Sequence, residues 1–190
     1  MKGKIILFTG GARSGKSLSA EQYALAQGGP LAYIATAQVY DQEMESRVAL
    51  HRQRRADQWI TFEAPYDADQ IIQQAAQEAK VILFDCLTLY TSNLLLDPQG
   101  PENPEEKYQY TMEKIDKLIS SARASERTVV FVTNEVGMGI VPTNALARQY
   151  RDLSGSANQK VAAAADEVYL VVSGLAVEIK KLAVNFNREV

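Results

Sequence analysis

The segment Gly10-Gly11-Ala12-Arg13-Ser14-Gly15-Lys16-Ser17 constrains this chain more than any other part of it. It is a complete G-x-x-x-x-G-K-S sequence. The apolar run Lys4–Thr9 (KIILFT) precedes it, and a stretch of helical period, Lys16–Gln27, follows. Strand, loop and helix in that order give the motif its structural meaning. Glycines let the backbone curl so that successive N–H groups face phosphate oxygens. The helix behind the loop adds the positive end of its dipole. Lys16 is long enough to reach terminal phosphates, and Ser17 is placed to ligate Mg²⁺. The segment therefore predicts an α/β fold that binds a nucleotide through its phosphates.

The rest of the chain keeps the same rhythm. Leu31–Thr36 (LAYIAT), Val81–Phe84 (VILF), Thr128–Thr133 (TVVFVT) and Glu167–Val172 (EVYLVV) read as strands. Ala176–Lys180 reads as a partner of the last, after a turn at Ser173-Gly174. Runs apolar on both faces belong to a parallel sheet covered on both sides. Helical period marks Gln42–Gln58, Ala68–Ala79, Glu105–Ala124 and Ala145–Ala165, the last as one helix or two. Strands alternating with helices imply right-handed βαβ units. Asp97–Pro104 (DPQGPENP) is the clear exposed loop.

Composition narrows the function classes. A length of 190 residues suits one catalytic domain over residues 1–190, and 46% hydrophobic content excludes general disorder. A net charge of -3 and a pI near 5.3 argue against a nucleic-acid partner bound through a basic surface. A single cysteine makes no internal disulfide, which fits a reducing cytoplasm. No apolar run approaches the roughly 20 residues of a membrane span. The apolar start of the chain is too short for a signal peptide.

Two carboxylates are expected at the sheet edge that carries the loop. Asp85 ends the run Val81–Phe84 and suits Mg²⁺ or its water shell, although a strand-end Asp also caps the helix from Leu87. Glu135 follows the next strand in Asn134-Glu135-Val136-Gly137. Open α/β sheets place ligands at this edge.

His51, the single histidine, sits in His51-Arg52-Gln53-Arg54-Arg55. At helical spacing it shares a broad face with Arg47, Arg54 and Arg55, and also with Met44 and Val48. That pattern suits a half-buried histidine on an amphipathic helix with a solvated cationic edge. It equally suits chemistry. Close cations disfavour imidazolium and keep the ring neutral and nucleophilic. The arginines would neutralise nucleotide phosphates. The residues alone leave both readings open.

Taken together, the chain resembles the bifunctional adenosylcobinamide kinase / adenosylcobinamide-phosphate guanylyltransferase family of cobalamin biosynthesis. The matching blocks are TGGARSGKS at Thr9–Ser17, YIATAQ at Tyr33–Gln38 and DQEMESRVALHRQRR at Asp41–Arg55. They continue with W-x-T-x-E at Trp59–Glu63, DCLTLYTSNLL at Asp85–Leu95, NEVGMGIVPTNALARQYRD at Asn134–Asp152 and NQKVAAAADEVYLVVSGLAVEIK at Asn158–Lys180.

The resemblance implies a RecA-like P-loop fold with a mostly parallel sheet, and a homotrimer. It implies phosphorylation of adenosylcobinamide with ATP or GTP. It further implies transfer of GMP from GTP to adenosylcobinamide phosphate, through a GMP-histidine intermediate that falls on His51, with pyrophosphate released. Lys16 and His51 are the implied catalytic residues. Implied nucleotide contacts are Gly10, Gly11, Ala12, Arg13, Ser14, Gly15, Lys16 and Ser17. Ala35, Thr36, Ala37, Arg52, Gln53, Arg54, Arg55, Glu63 and Asp85 complete them. Ser17 and Asp85 are the implied Mg²⁺ ligands.

The departures are small. Ala56 stands where proline often follows the arginines. Gly155-Ser156-Ala157-Asn158-Gln159 stands where Gly-Arg-x-Asn-Gln is common.

Two rivals compete with this reading. A P-loop small-molecule kinase without a covalent step explains the loop but not HRQRR. A non-catalytic RecA-like nucleotide switch explains binding alone. Cys86 reads as a small buried residue and Trp59 as a packing anchor. Arg148, Arg151 and Asp152 read as surface salt bridges by default, with a subunit boundary or the corrinoid as the alternatives.

Overall fold

The computed structural model describes residues 2–38 and 58–184. The described chain alternates strand and helix. The strands are β1 (Lys4–Thr9), β2 (Leu31–Ala35), β3 (Trp59–Glu63), β4 (Val81–Asp85), β5 (Thr128–Val132), β6 (Glu167–Val172) and β7 (Leu175–Glu178). The helices are α1 (Lys16–Ala26), α2 (Ala68–Glu78), α3 (Leu87–Leu95), α4 (Pro104–Ala124) and α5 (Ala145–Ala164), with a 3₁₀ turn at Ile179–Leu182.

The strands form one sheet in the order β3-β2-β4-β5-β1-β6-β7. Every neighbouring pair is parallel except β6 with β7. Strand β5 stands between β1, which carries the loop, and β4, which ends in Asp85. One strand thus separates the loop strand from the strand that ends in Asp85, in a mostly parallel sheet with helices on both faces.

The apolar runs are buried on both faces, as a parallel sheet requires. Ile5 and Leu7 of β1, Ile82 and Phe84 of β4, and Val129 and Phe131 of β5 turn towards α2, α3, α4 and α5. Their alternates Ile6, Phe8, Val81, Leu83, Val130 and Val132 turn towards α1, where Ala20 and Ala24 let the helix approach closely. Each fully buried Ile, Leu or Phe contributes about 1.5–3 kcal/mol of transfer free energy.

Several local features follow from sequence chemistry. Helix α4 opens with Pro104, capped by Asn103, whose Oδ1 accepts from the Glu105 amide at 2.9 Å. Helix α5 is a single unbroken helix despite Gly155, with Asn144 as its cap. The second strand stops at Ala35, one residue short of the expected Thr36. The last strand starts at Leu175, not Ala176, and gives way to the 3₁₀ turn at Ile179. Strand β3 was not expected. Its central residues are exposed, so it lacks the apolar run that marks the other strands. The expected helix Gln42–Gln58 lies outside the described residues up to Asp57.

Candidate functional site

The loop after β1 is wedged against the neighbouring strands. A Cβ on Gly10 would come within 2.4 Å of the Val171 carbonyl oxygen, so only glycine fits there. Gly15 has φ +97°, a left-handed conformation that glycine adopts without strain. Arg13 is also left-handed, at φ 58°. Three backbone hydrogen bonds fix the curl. The Ser14 amide donates to Gly11 O at 3.2 Å, and the Gly174 amide to Ser14 O at 2.7 Å. The Glu135 amide donates to Gly10 O at 3.0 Å. The hairpin after β6 and the edge after β5 therefore hold the loop from both sides.

Inside this frame lie polar groups suited to an anion. Lys16 is 8% exposed, and its Nζ crosses the loop to donate to Gly11 O at 3.1 Å. Burial lowers its pKa, opposed by the nearby Cys86 and by the carboxylate of Asp85. The Ser14 hydroxyl is buried and has no hydrogen-bond partner. Ser17 stands next to Lys16 in the first turn of α1.

Asp85 comes to the same sheet edge from β4. Tyr33 of β2 donates its phenolic hydrogen to Asp85 Oδ2 at 2.8 Å. Tyr33 meets Trp59 edge-on, with ring centroids 6.4 Å apart. Trp59 is thus a packing anchor. A hydroxyl at Ser17 and a carboxylate at Asp85 are hard oxygen donors of the kind Mg²⁺ takes. Among the described residues no group of three or more His, Cys, Asp or Glu gathers as a metal cluster. A cation here would take most of its shell from phosphate and water.

Thr36 does something other than face solvent. It is fully buried; its hydroxyl donates to Cys86 O and accepts from the Cys86 amide, both at 2.9 Å. Asn93 of α3 donates to Thr36 O at 2.8 Å. Thr36 is therefore a clip between the ends of β2 and β4, flanked by half-buried Ala35 and Ala37. Glu63 ends β3 and is exposed. Cys86 is buried, and its thiol is pushed up to about 11 by burial first and by Asp85 second.

The edge after β5 carries a second set of contacts that the sequence did not reveal. The Thr133 hydroxyl donates to Asn158 Oδ1 at 2.6 Å, and Asn158 Nδ2 donates to Asn134 O at 3.1 Å. Asn134 Nδ2 donates to Thr88 Oγ1 at 3.3 Å. Helices α3 and α5 thereby set the path of Asn134-Glu135. The Gly137 amide donates to Glu135 Oε1 at 2.8 Å. Arg151 and Asp152 pair with each other at 3.0 Å.

The structure thus brings Gly10–Ser17, Asp85, Ala35–Ala37 and Glu135 to one edge. His51 and Arg52, Gln53, Arg54 and Arg55 lie outside the described residues. No helix among the described residues is long and apolar enough to cross a membrane.

Comparison with known proteins gives a consistent result. The family model described as "Cobinamide kinase / cobinamide phosphate guanyltransferase" matches residues 6–179. The chain is 45% identical over 181 residues to the "Bifunctional adenosylcobalamin biosynthesis protein CobU" of Escherichia coli (strain K12), covering 93% of this chain and 99% of that protein. It is 46% identical over 182 residues to the protein of the same name from Salmonella typhimurium, with 93% and 99% covered. Against the "Bifunctional adenosylcobalamin biosynthesis protein CobP" of Pseudomonas aeruginosa it is 38% identical over 176 residues, with 92% and 96% covered. A KaiC-like protein, PH0186 from Pyrococcus horikoshii OT3, superposes with a TM-score of 0.48 at 15% identity, covering 89% of this chain and 71% of that one.

Proposed function

The chain belongs to the cobinamide kinase / cobinamide phosphate guanyltransferase family, and from that premise we propose that both reactions run over the loop Gly10–Ser17. It is a nucleotide-using enzyme of cobalamin biosynthesis. The observation that carries the proposal is the meeting of Lys16, Ser17 and Asp85 at one sheet edge, with an unpartnered Ser14 hydroxyl among them.

In the first reaction the γ-phosphoryl group of ATP or GTP moves to the aminopropanol hydroxyl of adenosylcobinamide. The backbone amides of Gly11–Gly15 and the Lys16 ammonium hold the phosphate chain and meet the charge that grows on the leaving oxygen. Ser17 and Asp85 would hold Mg²⁺, which would supply charge neutralisation to the phosphate chain. Asp85 or Glu135 orients the attacking hydroxyl.

In the second reaction the neutral imidazole of His51 attacks the α-phosphorus of GTP, a P–N bond forms, and pyrophosphate leaves. A phosphate oxygen of adenosylcobinamide phosphate then attacks that phosphorus. The P–N bond breaks and the imidazole is freed, giving adenosylcobinamide-GDP. Arg52, Arg54 and Arg55 keep the ring uncharged and, with Gln53, contact the nucleotide. Ala35, Ala37 and Glu63 complete the nucleotide contacts; Thr36, fully buried and bonded through its hydroxyl to Cys86, is not one of them.

A homotrimer in the cytoplasm belongs to the same proposal. The exposed apolar residues Leu175 and Val177 on edge strand β7 and the single cysteine support it.

The test is incubation with α-labelled GTP. Acid-labile, alkali-stable label on the wild type, absent from His51→Ala, is the expected result. Absence of label from the wild type leaves the plain kinase reading. The kinase reaction is expected to survive in His51→Ala.

A further inference from the structure

A groove of about 650 Å³ opens on the face of the sheet opposite α1, beside the end of β1. Its floor is Leu7 and Val168; one wall is the face of α5 that carries Arg151, Gly155, Ser156 and Gln159. The other wall is the segment after β5, from Glu135 to Val141. We propose that this groove is the acceptor subsite, which receives cobinamide and points its aminopropanol arm at the phosphate loop. The proposal deepens the function given above and rests on it.

Three observations lead there. First, the groove and the loop share a residue. The Glu135 amide donates to Gly10 O at 3.0 Å, and Glu135 also lines the groove. A ligand seated in the groove therefore ends one residue away from the phosphate cradle. An acceptor must bring its hydroxyl to that point for phosphoryl transfer to proceed.

Second, the lining matches the chemistry of the acceptor. Cobinamide presents a flat apolar macrocycle fringed with amides. The groove pairs an apolar floor with Ser156, Gln159, Arg151 and Asp152, which donate to and accept from amides. Third, the rim is apolar and uncovered: Met138 is 83% exposed, Ile140 95% and Val141 61%. The macrocycle is larger than the groove, so its outer part would lie on this rim and bury it.

Gly155 offers a clean way to fill the groove. It lies within α5, and a Cβ built there meets nothing within 4 Å. Calorimetry with cobinamide and, separately, with GTP is run on the wild type, Gly155→Trp and Gly155→Ala. Gly155→Trp is expected to weaken cobinamide binding at least about tenfold and leave GTP affinity within about twofold. Gly155→Ala, one methyl group, is expected to change cobinamide affinity less than about threefold. Gln159→Trp, on the same exposed helix face, repeats the test if the first variant unfolds. Unchanged cobinamide affinity in the folded tryptophan variant overturns the proposal. Equal loss of cobinamide and GTP overturns it too, because the groove would then belong to the nucleotide. Labelling by α-labelled GTP needs no cobinamide, so its failure counts against the covalent step and not against the groove.

Discussion

Tyr33 Oη donates a hydrogen bond of 2.8 Å to Asp85 Oδ2, across the register that sets β2 beside β4. One carboxylate oxygen is thus fixed by a buried phenol before any cation or nucleotide arrives. Tyr33→Phe keeps the ring against Trp59 and removes the bond to Asp85. A hydrogen bond to a carboxylate is worth about 1.5–3 kcal/mol, so the kinase rate is expected to fall about 10- to 100-fold. The half-saturating magnesium concentration is expected to rise. Nucleotide affinity without magnesium, measured by calorimetry, is expected to stay the same.

The two leading glycines of the loop are expected to differ sharply. Gly10→Ala would drive a methyl group into the Val171 carbonyl, whereas a Cβ at Gly11 meets nothing within 4 Å. Gly10→Ala is expected to cost about 1–3 kcal/mol of stability and most of the GTP affinity. Gly11→Ala is expected to keep a near-wild-type Tm. Thermal denaturation with and without GTP separates the two.

Asp166 ties three parts of the chain together. It accepts from the Ile5 amide at 2.7 Å and from Arg123 Nη1 at 2.6 Å. Burial alone would raise its pKa, but the bonds from Arg123 and Ile5 prevail and hold it below the usual aspartate value. A carboxylate lowered on folding adds stability above the unfolded value, and that share is lost as pH falls through the folded value. Asp166→Asn is expected to lower Tm at pH 7. The gap between variant and wild type is expected to narrow below about pH 4. A gap that does not depend on pH would mean the carboxylate charge contributes nothing.

Cys86 is buried and its thiol is pushed up to about 11, so it stays protonated at ordinary pH. At pH 8 an alkylating reagent is expected to modify it far more slowly in the folded protein than in urea. Rapid labelling of the native enzyme, read by mass spectrometry, would contradict this.

Much of the framework was readable because parallel strands buried on both faces announce themselves as unbroken apolar runs. Lys4–Thr9 and Thr128–Thr133 are of that kind, and the glycine-rich loop needs no partner in sequence to be recognised. Strand β3 carried no such signal, since an edge strand with exposed Ile60 and Thr61 resembles a loop. The clip made by Thr36 was invisible for another reason. Its partners, Cys86 and Asn93, lie 50 and 57 residues away, and no local pattern encodes them. The same holds for Asn158, which reaches back 25 residues to Thr133 and 24 to Asn134. Recognition of Asp85 and Glu135 rested on a simpler rule, that strand ends in such sheets carry the polar chemistry.

The contact from Glu135 to Gly10 has a consequence for how such an enzyme can diversify. The cradle is braced by the main chain of residue 135, and every amino acid except proline supplies that amide. The side chain there is released from any structural duty towards the loop. Selection can exchange it to suit a different alcohol while the triphosphate machinery stays intact, so novelty on the acceptor side and constancy on the donor side are separable within a single residue.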